Sequence, residues 1–153
     1  MLVLSLLLIV LLLVCGMGLM SVQRARYAAT SSEYLSASAF QLARAGLEDA
    51  RIKLERTQLF PPNKAVDQTS FTYCENVALS GGQQGAYFVK LDFTYATPPM
   101  NILTITSTGT VGPIAAPLAQ RALYVELDQN PNGYNGDTHS YWHFIHFQDL
   151  GST

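Results

Sequence analysis

The sequence predicts an α+β protein: one long N-terminal helix, apolar in its first half and amphipathic in its second, packed on a small antiparallel sheet. Three observations predict it. Residues 1–22 (MLVLSLLLIVLLLVCGMGLMSV) hold no charged residue and no His, Asn, Gln or Pro, and at ~1.5 Å per residue they make a helix of roughly 30 Å, the apolar thickness of a bilayer. No proline then occurs from Gln23 to Phe60, so the helix continues. Beyond it, runs in which apolar and polar residues alternate are separated by Gly and Pro, the period-two signature of half-buried strands. The chain therefore divides into an apolar transmembrane or filament-core helix (1–22), an amphipathic helix continuing it (23–60) and a β-rich head (61–153).

The first segment cannot stay in water, because burying one Leu, Ile or Val is worth ~1.5–3 kcal/mol and the segment is mostly such residues. It needs a membrane or an assembly that hides it. A cleaved secretory signal is the first alternative, but the run is long, lacks a basic n-region before it and shows no obvious small-residue cleavage site. If Met1 is not the translated start, a charged leader has been removed and the chain is a processed one. Arg24 and Arg26, taken alone, favour a cytoplasmic C-terminal side; a removed basic leader would offset them.

Along the amphipathic half, Phe40, Ala43, Leu47, Ala50 and Leu54 recur at helical spacing and form a stripe that should pack on the sheet. Arg44, Glu48, Arg51 and Glu55 alternate in sign on the other side as a solvated face. Residues 28–39 are rich in Ala and Ser, which suits close helix packing as well as an exposed helix. Pro61 and Pro62 end the helix and 57–70 is a connecting loop.

Tyr87, Val89, Leu91, Phe93 and Tyr95 mark one strand, closed by Pro98 and Pro99. Residues 102–111 follow with Leu103 and Ile105 facing one way and Thr104, Thr106 and Thr108 the other, and 119–127 repeats the alternation. These runs predict an antiparallel meander, to which 71–79 and 140–147 add strands.

Two stretches carry a family resemblance. The segment 42–50, LARAGLEDA, looks like the alanine-rich helix of minor-pilin-like proteins, and 105–111, ITSTGTV, followed by 120–125, QRALYV, looks like their strand-turn-strand signature. With the overall layout, the chain resembles the type IV pilin and pseudopilin superfamily. The resemblance implies a structural subunit cleaved by a prepilin peptidase and held in the inner membrane. Pilus assembly machinery would then pack it with copies of itself or other pilins into an extracellular filament at the cell surface, of the kind used in adhesion and motility. It departs from the family in two places: major pilins carry a glutamate at the fifth mature position where Ser5 stands, and no proline interrupts the apolar segment. Gly16 and Gly18 are its weakest helix formers, so any unwinding in a filament is expected around residues 15–19.

Other candidate sites are fewer. Asp128, Asn130, Asn132 and Gly133 match the start of a calcium loop, with Asp137 as the other nearby carboxylate, while Pro131 and His139 in the twelfth position depart from it. Calcium is the one cofactor the sequence offers, and a plain turn explains the same residues. His139, His143 and His146 cannot share a zinc ion on a strand, where positions four apart lie ~13 Å apart. Tyr141, Trp142, Phe144 and Phe147 read as core or subunit interface.

With nine Lys and Arg against eleven Asp and Glu, the formal charge of −2 offers no basic surface, and no nucleic-acid partner is expected. No nucleophile elbow, zinc-protease motif or phosphate loop occurs, so an enzyme is not expected. Cys15 and Cys74 fall in separate segments; no intrachain disulfide is expected and neither is given thiol chemistry. A single-pass membrane protein with a small ligand-binding β-domain is the alternative to a filament subunit.

Overall fold

A computed structural model of the chain describes residues 2–57, 60–61, 68–129 and 143–152. The element order is α1 (Leu2–Arg56), β1 (Ser70–Ala78), a one-turn 3-10 helix (Ser80–Gly82), β2 (Gln84–Asp92), β3 (Ile102–Val111), β4 (Ala119–Asp128) and β5 (His143–Gly151). It is an α+β arrangement with a long N-terminal helix. Two compact units share α1 between them, Met1–Tyr34 and Leu35–Thr153.

The second unit is a five-stranded antiparallel meander in the order β1-β2-β3-β4-β5, with α1 from Leu35 onward on one face. Strand alternation decides which side chains meet the helix. Val89, Leu91, Leu103, Ile105, Leu123, Val125 and Leu127 point inward and are fully buried, together with Ala43, Leu47, Ala50 and Leu54 of α1. Phe40 packs on this core while half-buried. A smaller cluster of Ala39, Leu42 and Val111 lies beside it. On the opposite face Thr104, Thr106, Thr108, Tyr124 and Glu126 are half-exposed, as expected of an antiparallel sheet covered on one side.

The helix can lie this close to the sheet because a glycine stands on each side of the contact, Gly46 on α1 and Gly109 on β3. A Cβ on Gly109 of β3 would stand 2.1 Å from the Ala39 carbonyl oxygen and 2.4 Å from the Ala43 nitrogen, and one on Gly46 would stand 2.4 Å from Ser107 Oγ. The alanine-rich stretch 42–50 and the β3 stretch 105–111 therefore form one contact.

Several boundaries differ from expectation, β1 by one residue (Ser70–Ala78) and others by more. α1 ends at Arg56, just before the expected loop 57–70 and short of the 60 drawn for the amphipathic segment: Thr57 N–H closes the last helical bond on the Lys53 carbonyl (3.1 Å). Phe60 turns back to set its ring edge-on against Phe71 (5.7 Å between centroids) and Tyr73 (5.9 Å). Burying that aromatic ring outweighs one more helical turn before the prolines. β2 stops at Asp92, because the Asp92 carboxylate accepts from the Thr94 N–H (3.0 Å) and hydroxyl and bends the chain before Tyr95, which is exposed. β5 runs over His143–Gly151 and so extends past 147; residues 140–142 lie outside the described residues. β3 matches the expected 102–111 and β4 starts at Ala119 as expected, running one residue further to Asp128.

Candidate assembly surface

In the first unit, fifteen large apolar side chains between Val3 and Val22 are each at least half exposed, and they surround the helix. By length and composition α1 is able to cross a membrane. A helix apolar on every side is stable only where lipid or protein covers it. Val3, Leu6, Leu7, Val10, Leu11 and Val14 line a shallow trough along it, and nothing lies within 4 Å of where a Cβ on Gly16 or Gly18 would stand. The backbone is helical through residues 15–19 in the single chain.

Three hydroxyls beyond the trough bond back onto their own helix. Ser21 donates to the Gly18 carbonyl (2.8 Å), Thr30 to Arg26 (3.0 Å) and Ser32 to Ala29 (2.7 Å). Hydroxyls bonded back to their own helix cost little when the surface is buried. Met20, Gln23, Arg24 and Tyr27 border a second depression of about 490 Å³.

The second unit carries a polar cluster that sequence patterning alone does not expose. Lys53 Nζ donates to Asp49 Oδ2 (2.6 Å) and to Glu75 Oε1, Tyr73 OH donates to Asp49 Oδ2 (2.9 Å), and Tyr87 OH donates to Glu75 Oε2 (2.9 Å). The Lys53 ammonium also lies 4.1 Å from the centre of the Tyr73 ring. Its geometry follows from register: Tyr73 and Glu75 share the helix-facing side of β1, and Glu75 is directly opposite Tyr87 on β2. Of the bonded pairs only Lys53–Asp49 is local, four residues apart on α1, so long-range pairing supplies the rest.

Charges and burial shift these groups. Partial burial acts to lower the Lys53 pKa, but hydrogen bonds to Asp49 and Glu75 outweigh it and hold it above the usual ammonium value. Hydrogen bonds from Lys53 and Tyr87 hold Glu75 below the usual carboxylate value. Burial, then the bond to Asp49, pushes the Tyr73 phenol up; burial, then the bond to Glu75, does the same to Tyr87. The arrangement clamps α1 to β1 and β2 through four hydrogen bonds.

The expected solvated face is present: Arg51 Nε lies 3.4 Å from Glu48 and 3.6 Å from Glu55. Arg51 also stands over the Phe144 ring at 5.7 Å, an inter-element contact the helical spacing does not reveal. Phe144 packs on the core, whereas Phe147 is half-exposed; Tyr141 and Trp142 lie outside the described residues. Of the calcium-loop residues, Asp128 ends β4 opposite Ile102 and His143, while Asn130, Asn132 and Asp137 lie outside the described residues. His146 sits opposite Glu126 with its ring 6.5 Å from that of Tyr124, and His139 lies outside the described residues. Among the described residues no three His, Cys, Asp or Glu side chains are grouped to hold a metal ion. Cys15 and Cys74 are free thiols and both exposed.

One further depression, about 360 Å³, is lined by Asn76, Val77, Ala78, Gln84, Gly85, Gly112 and Ile114 at the end of the sheet where β1 meets β2. Comparison of the chain with known protein families, with curated proteins and with solved structures returned no match.

Proposed function

We propose that the chain is the structural subunit of a type IV pilus-like filament, polymerising through the apolar helix of its first unit. One observation carries this reading: among the described residues, fifteen large apolar side chains around a single helix are each at least half exposed. Lipid covers such a helix before assembly and neighbouring copies cover it afterwards, so the subunit resides in the inner membrane and then in an extracellular fibre. Lipid tails are as apolar as Leu, so packing between helices, not hydrophobic transfer, supplies the specificity of assembly. The second unit, with its own core, is the part left to face the surroundings.

Shearing the producing cells and fractionating them tests it. A filament subunit is recovered from the sheared fraction as polymer sedimenting at high speed. Recovery solely with membranes favours instead a single-pass anchored protein whose β-domain binds a ligand, and sinks the filament reading.

A further inference from the structure

We propose that Glu33 of one copy docks on Arg24 of the next, setting a nine-residue offset between neighbouring parallel helices. The inference rests on the filament reading above and specifies its register. Arg24, Arg26 and Glu33 are the charged residues of 1–34. All three are exposed, and among the described residues none of them takes part in an ion pair. When copies pack around an apolar helix, an exposed charge beside it must keep its water or find an opposite charge, since stranding it in a dry contact is strongly unfavourable. With two bases and one acid per copy, the first unit of a second copy supplies the opposite charge.

Helical geometry decides which arginine is used. At about 100° per residue, Arg26 lies seven residues before Glu33 and within about 20° of the same face, while Arg24 lies nine residues before it, on the opposite face. A contact made from one face closes into a pair, whereas an open array needs complementary patches on different faces. Arg24 fits the open array. It also borders a depression with Met20, Gln23 and Tyr27, into which an acidic side chain from a neighbour can enter. Around Glu33 the flanking residues Ala29 and Thr30 are small, and the Thr30 hydroxyl is turned back onto the Arg26 carbonyl, so the carboxylate stands clear of its own helix.

The helices must run parallel. An antiparallel Glu33–Arg24 contact would set residues 1–22 of one copy against 35–56 of the other, where Ala39, Ala43, Leu47, Ala50 and Leu54 are already buried by their own sheet. In the parallel contact, residues 1–13 of one copy run along 10–22 of its neighbour, apolar against apolar. Nine residues of helix give an axial offset of about 13.5 Å.

Charge exchange in the full chain, made in the producing cells, tests the pairing, with sheared polymer and membrane-held subunit measured separately. Glu33→Arg and Arg24→Glu should each lower polymer about tenfold or more with membrane levels unchanged, because each leaves like charges facing. The double variant should return polymer to within about twofold of the unaltered chain. The pairing is overturned if the single changes leave polymer intact, if the double variant gives no recovery, or if Arg26→Glu with Glu33→Arg recovers it instead. An unaltered chain that yields no polymer overturns the filament reading itself; polymer without rescue overturns the pairing alone. A density map of the unaltered filament is an independent check, expected to show Glu33 within ion-pair reach of a neighbour's Arg24 at an offset near 13–14 Å.

Discussion

Gly109 is the residue on which the helix–sheet contact turns. Its missing side chain lets α1 approach so near that a methyl group would overlap the backbone at Ala39 and Ala43, and backbone yields less readily than a side chain. Gly109→Ala should therefore destabilise the second unit by about 3 kcal/mol or more, at the upper end of overpacking effects. Gly46 is the milder case. Alanine there would gain up to ~1 kcal/mol of helix propensity, yet its Cβ meets Ser107 Oγ at 2.4 Å and Tyr87 Cδ2 at 2.9 Å, so Gly46→Ala should still cost stability. Ser107 Oγ is buried and makes no hydrogen bond, so Ser107→Ala should be neutral or stabilising and should reduce the cost of Gly46→Ala by about 1 kcal/mol. Urea titration of the full chain in non-ionic detergent, read by protection of the sheet amides against hydrogen exchange, measures all four variants. Additive Gly46 and Ser107 effects would rule out the contact.

At the scale of elements, the helix is fixed to the sheet by a core at its centre and by the Asp49–Lys53–Glu75 clamp at one side. Leu54 is fully buried in the last turns of α1, whereas Ile52, two positions earlier, is about half-exposed. Leu54→Ala should cost ~2–5 kcal/mol and Ile52→Ala well under half of that, measured in the same titration. The clamp adds a pH dependence whose sign follows from its shifts. Glu75 is held below its ordinary value of 4.5, so its contribution is present above that pH and is lost as pH falls through the lowered pKa. Lys53 is held above 10.5 and Tyr73 and Tyr87 above 10.0, so theirs are present below those values and are lost as pH rises through the raised ones. Stability should therefore be flat from about pH 5 to 10 and fall on both sides. Lys53→Met should weaken both falls, and an unchanged profile would exclude the clamp as their origin. This division also explains what could be seen in the sequence. β3 was legible to the residue, because strict alternation from Ile102 is bounded by turns at Asn101 and Gly112, both with positive φ. The stripe of α1 was legible as Ala43, Leu47, Ala50 and Leu54 for the same reason of period. The clamp was not, since Glu75 and Tyr87 meet only through the β1–β2 register, nor was the packing of Phe60 against Phe71 and Tyr73, partners remote in sequence.

The whole molecule joins two units with opposite relations to water. Residues 35–153 enclose a core of helix and sheet side chains, while the fifteen apolar side chains of the first unit are each at least half exposed. At ~1.5–3 kcal/mol for each fully buried side chain, sheltering them is worth tens of kcal/mol even when discounted for partial exposure, which exceeds the stability of a typical domain. Solubility is therefore controlled by the first unit. A chain reduced to 35–153 should be monomeric in detergent-free buffer and keep its sheet amides protected, whereas the full chain should need detergent or sediment as polymer. The sharpest challenge to this comes from β5, an edge strand on which Ile145, Phe147 and Leu150 are exposed, since an apolar unpaired edge is a template for another chain. The ion pair of Asp149 with Arg121 places charge on the same strand, and the strand is irregular where its register to β4 shifts near Ala122 and Glu126. Charge and bulges both oppose edge-to-edge pairing. Sedimentation equilibrium of 35–153 decides between the two: a monomer over a hundredfold range of concentration assigns assembly to the helix, whereas dimers that dissociate on Phe147→Lys would make the β5 edge a second assembly surface.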